Sequence, residues 1–150
     1  MLQFEPAGTK WWNKPLVSYR GKNLPAELAV LQTELQFEEA GVWLNSRGIK
    51  TGVSDLLRAE LEDGEYKYKT LRIAIPDFVS DAIRLAYSAS GLAKGCPDLV
   101  IWNSSTLGIR FVEVKCPHWD KVSKEQSDFI QVAKEQGVST KIAEWEFLGN

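Results

Sequence analysis

A chain of 150 residues with 44% hydrophobic and 25% charged residues is typical of one globular domain with a hydrophobic core. No apolar run reaches the roughly 20 residues of a membrane-spanning helix. Two cysteines and one histidine exclude a disulfide framework and a zinc-site spacing. The net charge of −2 gives no overall support for nucleic-acid binding, and the N-terminus lacks the layout of a secretion signal, so a cytoplasmic location is expected.

The first 23 residues combine basic and aromatic side chains. Four cations and two tryptophans accompany a single glutamate here: Lys10, Lys14, Arg20, Lys22, Trp11, Trp12 and Glu5. Basic residues interleaved with aromatic rings can hold a phosphate backbone and stack on bases. Residues 1–23 are therefore either a DNA-contacting arm or a polar arm anchored by two core tryptophans.

The next region predicts two helices and two strands. Leucines at positions 24, 28, 31 and 35 form one stripe of an amphipathic helix. Pro25 suits the first turn of this helix and Gly41 suits its end. Residues 42–46 read as a strand, residues 53–62 as a short helix, and residues 65–75 as a strand or a hairpin arm.

The second half predicts helices around a hairpin. A helix over residues 76–87 and a loop of small residues precede two strands, 98–102 and 109–115. Ser123 and Gln126 then have the spacing of a capping box. That last helix ends at Gly137, and residues 139–147 finish as a strand. The predicted fold is one α/β domain over residues 1–150, with a central mixed β-sheet flanked by helices.

The hairpin brings two carboxylates and a lysine together. If its turn centres between Ser105 and Thr106, antiparallel partners have numbers that sum to 211. Asp98 then lies opposite Glu113, with Cβ atoms about 4.5–5.5 Å apart. Lys115 projects from the same face as Glu113, because side chains alternate along a strand. A bulge in the six-residue loop would change this register.

This arrangement suits metal-dependent hydrolysis of a phosphodiester. Paired carboxylates repel each other unless a cation lies between them, and hard oxygen ligands favour Mg²⁺ or Mn²⁺. The carbonyl of Val114 could add a ligand, and Lys115 could orient a water molecule or offset transition-state charge. The alternative is an ordinary group of solvent-facing charges, which is common and contributes little to stability.

Similar short patterns elsewhere do not form such a pair. Glu65-Tyr66-Lys67 repeats the Glu-x-Lys spacing, and Ile75-Pro76-Asp77 repeats the apolar-Pro-Asp spacing. They occur in the wrong order for one hairpin, and Asp77 is predicted to open a helix. Neither is predicted to be a site.

Three segments resemble the virus-type replication-repair nuclease (VRR-NUC) family of the PD-(D/E)xK superfamily. They are Gly95-Cys96-Pro97-Asp98-Leu99, Phe111-Val112-Glu113-Val114-Lys115-Cys116-Pro117 and Val122-Ser123-Lys124-Glu125-Gln126, within a match over about residues 91–147. The resemblance implies a restriction-endonuclease-like fold and a metal-dependent DNA nuclease that acts on branched or flapped DNA, often as a homodimer.

The resemblance also implies roles for individual residues. Asp98 and Glu113 would bind the metal, Lys115 would assist the attacking water, and Gln126 would be an accessory residue of the active site. The superfamily uses a further glutamate on its first helix. Glu27, at the border of the leucine stripe, is the expected one, with Glu38 as the alternative.

The chain departs from the family pattern at two places. Cys116 replaces a usual glycine and is expected near Cys96, most simply as two thiols. Residues 48–90 are longer than the usual connection and form a DNA contact, a dimer interface or a plain insertion on the sheet. Five basic residues are assigned to DNA contact, namely Lys10, Lys14, Arg47, Lys121 and Lys124.

The leading hypothesis is therefore a Mg²⁺- or Mn²⁺-dependent nuclease that cuts branched DNA, such as flaps or Holliday junctions, in replication or repair. A restriction-type or end-processing nuclease would use the same chemistry. A non-catalytic DNA-binding or inhibitory module with the same fold is the alternative from another class.

Overall fold

The described part of the chain forms a mixed nine-stranded sheet flanked by three helices, as seen in a computed structural model. The structure describes residues 1–11, 14–44, 51–62, 65–91 and 95–149, and for residues 9–11, 14–15, 51–62 and 65–72 it describes the backbone alone. The elements are β1 (Leu2–Trp11), β2 (Lys14–Tyr19), β3 (Lys22–Pro25), α1 (Ala26–Glu34), β4 (Ala40–Leu44), β5 (Thr51–Glu62), β6 (Glu65–Ala74), α2 (Asp77–Ser90), β7 (Leu99–Asn103), β8 (Gly108–Lys115), α3 (Lys124–Glu135) and β9 (Ser139–Phe147).

The strand order is β3-β2-β1-β9-β8-β7-β4-β5-β6. Strand β9 runs parallel to both β1 and β8, and the other neighbouring pairs are antiparallel. The predicted α/β class with a mixed sheet is therefore confirmed. No helix in the described ranges is long and apolar enough to cross a membrane.

Alternating side chains of β7 and β8 divide the core into two layers. Leu99 and Val112 pack with α1 on one face of the sheet. Val100 and Phe111 pack with α2 and α3 on the other face. We call these the α1 face and the α3 face. Because side chains alternate along a strand, Glu113 and Lys115 lie on the α3 face with Phe111.

The N-terminal segment is part of the sheet. Strands β1, β2 and β3 cover most of residues 1–23, which sequence reasoning treated as an arm. Leu2 to Phe4 pair with Trp145 to Phe147 of β9, and Phe4 is buried. The start of the chain is therefore held in the sheet by pairing with the last strand. The side chains of Lys10 and Lys14 lie outside the described residues, as does the whole of Arg47.

The predicted helix over residues 53–62 is wrong. Strand β5 covers this segment and pairs with β6 from Thr51↔Ala74 to Glu62↔Glu65, with one irregularity. The helical spacing of apolar residues was therefore overridden by pairing with a neighbouring strand. Together β5 and β6 extend the sheet beyond β4.

Gly41 does not end the first helix. Helix α1 ends at Glu34, and Gly41 lies in β4. A Cβ atom at Gly41 would lie 2.9 Å from a side-chain carbon of Ile101 and 2.9 Å from one of Leu31. The glycine therefore permits close packing of β4 against β7 and α1.

The end of α1 is held by an arginine on β8. Arg110 Nη2 donates to the carbonyl oxygen of Glu34 at 2.6 Å and to Glu39 Oε1 at 2.8 Å. Its Nη1 donates to Glu34 Oε2 at 3.0 Å, and Lys141 Nζ donates to Glu34 Oε1 at 2.6 Å. Burial raises the pKa of Glu34, but the hydrogen bonds from Lys141 and Arg110 outweigh it and lower the pKa overall. This cluster stabilises the fold above the ordinary pKa of 4.5 and loses that effect as the pH falls.

Replacing Arg110 with alanine should destabilise the protein. The change leaves the half-buried carboxylates of Glu34 and Glu39 without their guanidinium partner, so we expect a loss of roughly 2–3 kcal/mol. Chemical unfolding monitored by circular dichroism measures it. Arg84→Ala is the matched control, because Arg84 makes an exposed ion pair with Asp81 at 3.3 Å. Equal stability of both variants would contradict the role of Arg110.

Candidate active site

The hairpin of β7 and β8 has the predicted register. Leu99 pairs with Val112 and Asn103 pairs with Gly108, and both pairs sum to 211. The Oδ1 atom of Asn103 accepts hydrogen bonds from the backbone N atoms of Ser105 and Thr106, at 2.9 and 3.2 Å. This side chain closes the turn without a register shift between the strands.

Asp98 lies one residue before β7, opposite Glu113. Its Oδ2 atom accepts a hydrogen bond from the backbone N of Val114 at 2.9 Å, and its carbonyl oxygen accepts one from the N of Leu44 at 2.8 Å. Asp98 is therefore held from both neighbouring strands. The structure shows a contact for the amide of Val114, and the role of its carbonyl as a metal ligand stays a prediction.

Glu113 is a fully buried carboxyl group on the α3 face. Its Oε1 atom accepts a hydrogen bond from Gln126 Nε2 at 2.9 Å and lies 3.3 Å from Lys115 Nζ. Its Oε2 atom is buried and has no hydrogen-bond partner among the described residues. Burial, followed by the nearby charge of Asp98, raises the pKa of Glu113 to about 9, and Lys115 offsets only part of this. Without a cation, these surroundings favour the protonated form of Glu113 more strongly than water does.

Gln126 connects α3 to this carboxyl. The capping box is confirmed, since Ser123 Oγ accepts from the N of Gln126 at 3.1 Å and Gln126 Oε1 accepts from the N of Ser123 at 2.9 Å. The cap uses the amide oxygen, which leaves the amide nitrogen free to donate to Glu113. The helix continues to Glu135, and Gly137 follows its cap with φ +81°.

Lys115 lies between two carboxylates, and sequence reasoning identified one of them. Its Nζ atom lies 3.3 Å from Glu113 Oε1 and 3.2 Å from Asp120 Oδ1. Burial lowers the pKa of Lys115, but the two carboxylates outweigh it and raise the pKa overall. The N atom of Asp120 donates to the carbonyl of Cys116 at 2.9 Å, so the turn after β8 folds Asp120 back over Lys115. The only sequence signal for Asp120 is its place between Lys115 and the capping box.

For the nuclease activity that the sequence predicts, we expect Asp120→Asn to slow DNA cleavage about tenfold through kcat, because it loosens the lysine. Asp120→Glu should restore most of the rate. Single-turnover cleavage measures both. Asp81→Asn is the control, since Asp81 is an exposed carboxylate on α2 that also contacts one cation. A rate unchanged by Asp120→Asn would exclude the positioning role.

Glu27 lies on the opposite face of the sheet from Glu113. It lines a cavity of about 70 Å³ with Val114, Cys116, Trp119 and Asp120. Asp120 therefore connects this cavity to Lys115, while the backbone of β8 separates Glu27 from the paired carboxylates. The role of Glu27 as a further metal ligand stays a prediction.

Glu38, the alternative to Glu27, lies elsewhere. It is exposed, with φ +64°, in the turn between α1 and β4. Its neighbour Glu39 contacts Arg110, five residues before Lys115 on β8 and on the α1 face. The structure thus places Glu38 away from the hairpin carboxylates.

Two of the basic residues assigned to DNA contact flank the site. Lys121 lines an open groove of about 420 Å³ together with Lys115, Ser123 and Gln126. Lys124 begins α3, and its exposed side chain lies 3.3 Å from Asp128. Lys121 therefore shares a groove with Lys115, and the contact of both cations with DNA stays a prediction.

The two cysteines face different core layers. Cys116 packs on the α1 face, whereas Cys96 packs against the α3-face cluster, and both are free thiols. Burial raises the pKa of the Cys96 thiol far above its ordinary range. The expected closeness of Cys96 and Cys116 is wrong, because residues that alternate across the sheet point to opposite layers.

The donor set suits one hard divalent cation. Asp98 and Glu113 supply carboxylate oxygens from adjacent strands, and the unpartnered Glu113 Oε2 is a buried atom that a cation would satisfy. No three His, Cys, Asp or Glu residues in the described part of the chain are arranged to hold a metal by themselves. Asp98 and Glu113 would therefore supply two of the ligands of a bound Mg²⁺ or Mn²⁺.

Comparison with solved structures gives partial matches. One is the crystal structure of paFAN1 bound to DNA with a 2-nucleotide 5′ flap and a gap, with 18% identity and a TM-score of 0.40. It covers 51% of this chain and 16% of that chain. The complex with a 1-nucleotide 5′ flap gives 23% identity and a TM-score of 0.37, covering 48% of this chain and 13% of that one. This chain therefore spans less than a fifth of the matched structures.

Comparison with known sequences gives a family match. No curated protein matches the chain. The family model of the VRR-NUC domain matches residues 74–144, a range that contains the hairpin, the capping box and most of β9. The predicted resemblance to the VRR-NUC family is therefore confirmed over residues 74–144, a range that contains Asp98, Glu113 and Lys115.

Proposed function

We propose that this chain is a divalent-metal-dependent DNA nuclease that hydrolyses phosphodiester bonds, with a preference for branched DNA such as flaps or Holliday junctions. One observation carries the proposal. Asp98 and Glu113 oppose each other on a hairpin, Lys115 Nζ lies 3.3 Å from Glu113, and one buried Glu113 oxygen has no partner among the described residues. The match to the VRR-NUC domain supports the same chemistry.

Each residue of the site has a distinct part in this proposal. Bound Mg²⁺ or Mn²⁺ would lower the pKa of a water nucleophile and neutralise charge on a phosphoryl oxygen. Asp98 and Glu113 would supply its carboxylate ligands, and Gln126 would hold Glu113 in place through the 2.9 Å hydrogen bond. The ammonium of Lys115, held by Asp120, would donate to the attacking water or to the developing charge.

We further propose a path for the DNA and a homodimer. Lys121 lines the groove beside Lys115, and Lys124 is exposed at the start of α3, so they would contact phosphates next to the cleaved bond. Lys10, Lys14 and Arg47 would extend this contact. Two copies that each cut one strand of a junction would produce paired nicks, and a cytoplasmic location fits such a role.

The test uses purified protein and end-labelled DNA of three shapes: a four-way junction, a 5′ flap and a linear duplex. Each is incubated with Mg²⁺, with Mn²⁺ or with EDTA. We expect metal-dependent cutting, faster on the branched substrates than on the duplex. Symmetric nicks in the junction would support the homodimer.

Other outcomes separate the alternatives. Binding without cutting under every metal condition would contradict the nuclease and favour a DNA-binding module of the same fold. Equal cutting of branched and linear DNA would retain the chemistry and favour an end-processing or restriction-type enzyme.

A further inference from the structure

Trp119 is a large aromatic side chain that is 56% exposed. Its ring packs edge-on against Trp145, with centroids 5.6 Å apart, and lies 6.1 Å from the ring of Phe147. Trp145 and Phe147 pack against each other at 5.1 Å. Trp119 is therefore supported from below by β9, while more than half of its surface remains available to solvent.

The tryptophan lies in the turn that carries Asp120, and its ring packs against Trp145 of the α1-face core. It belongs to the turn after β8, where its backbone N donates to the carbonyl of Cys116 at 3.2 Å. The next residue, Asp120, contacts Lys115, and Trp119 and Asp120 line the same cavity as Val114. The indole is thus attached to the segment that holds the lysine.

We propose that Trp119 stacks on an unpaired nucleobase of the DNA strand whose phosphate lies at Asp98, Glu113 and Lys115. This inference rests on the proposed nuclease function and adds the part of the substrate that is recognised: a single-stranded or unstacked nucleotide. Stacking on an aromatic ring is available to every base, so the contact selects strand structure rather than sequence. Loss of one such contact weakens binding roughly 5- to 150-fold.

The surroundings of Trp119 favour a nucleobase over a protein partner. Its exposed neighbours in the chain are Pro117, His118, Asp120 and Lys121, so a single aromatic face lies within a mostly polar turn. A stable protein interface needs a much larger continuous surface with an apolar centre. Lys121 follows two residues later and would contact the phosphate of the stacked nucleotide.

The experiment measures DNA binding and cleavage for wild type, Trp119→Ala, Trp119→Leu and Trp119→Phe. The probe is a 5′-flap DNA that carries the fluorescent base 2-aminopurine at successive positions around the branch. With EDTA present, we expect wild-type protein to quench one position, Trp119→Phe to retain much of this quenching, and Trp119→Leu to lose it. Leucine still packs against Trp145 but has no aromatic face. The Trp119→Leu variant therefore tests stacking even if Trp119→Ala does not fold.

A cycle with modified DNA tests the direct contact. The base at the quenched position is removed to leave an abasic nucleotide, and KM for cleavage is measured with wild type and with Trp119→Leu. Each change alone should raise KM by about 5- to 150-fold. The two changes together should raise KM little more than either change alone. Full additivity of the two changes would overturn the stacking contact.

The control removes an exposed aromatic ring elsewhere. Phe37 is 91% exposed in the turn between α1 and β4, and Phe37→Ala should change neither quenching nor KM. Cleavage by wild type together with unchanged KM in Trp119→Leu would overturn this inference and leave the nuclease proposal intact. Absence of both DNA binding and cleavage in wild type would overturn both.

Discussion

Replacing Asp98 with asparagine should reduce metal-dependent DNA cleavage by about 1000-fold or more. Asparagine keeps an oxygen that can accept the hydrogen bond from the N of Val114, so the hairpin should still fold. It removes the negative charge that would hold the cation, and a loss of about 4 kcal/mol in transition-state stabilisation corresponds to that factor. Cleavage rates with Mn²⁺ and calorimetric titration of Mn²⁺ measure the two effects separately.

The chain contains a matched control for this variant. Asp77 also follows an apolar-proline pair, but it is the first residue of α2 and lies outside the hairpin. We expect Asp77→Asn to cleave DNA at the wild-type rate, with a loss of stability below about 1 kcal/mol from the helix terminus. Activity of Asp98→Asn within threefold of wild type would exclude Asp98 as a ligand.

Replacing Glu113 with glutamine should abolish cleavage and at the same time stabilise the metal-free protein. The pKa of Glu113 is raised to about 9, so the folded state retains a proton that the unfolded state releases above 4.5. Folding of the wild type therefore becomes less favourable as the pH rises through this window. Glutamine carries no charge in either state and retains an oxygen for the hydrogen bond from Gln126. At pH 7 we expect a gain of at least about 1 kcal/mol, or roughly 2–4 °C in Tm.

Thermal unfolding in EDTA tests this prediction. It is measured between about pH 5 and pH 9, because these values lie between the pKa of Glu113 in the unfolded and in the folded protein. The difference in Tm between Glu113→Gln and wild type should grow as the pH rises. Saturating Mn²⁺ should stabilise wild type and leave the variant unchanged. Glu135→Gln, on the exposed end of α3, is the control and should show no difference that depends on pH. A variant less stable than wild type at pH 8 would contradict the energetic cost assigned to Glu113.

The opposition of Asp98 and Glu113 could be predicted because it is local. The two residues are joined by a short turn, and once that turn closes, the alternation of side chains places Lys115 on the same face as Glu113. The capping box of α3 is local for the same reason, since Ser123 and Gln126 are three residues apart.

The wrong predictions concern segments whose structure depends on distant partners. Residues 53–62 have helical spacing, yet they pair with β6 and, through Val53, with Trp43 of β4. Glycine is common at helix ends, yet Gly41 lies within β4, where a Cβ atom would collide with Leu31 and Ile101. In both cases contacts across the fold outweigh a local preference of a few tenths of a kcal/mol per residue.

By itself, the sequence determined the register of the hairpin and the cap of α3, because turn residues and side-chain alternation act over short distances. Only the tertiary structure decided which groups surround that hairpin. It brought Gln126 and Asp120 to Glu113 and Lys115, and it placed Glu27 on the other face of the sheet. The physical reason is that burial and contacts between distant segments arise when the sheet and helices pack, and no spacing within a single segment encodes them.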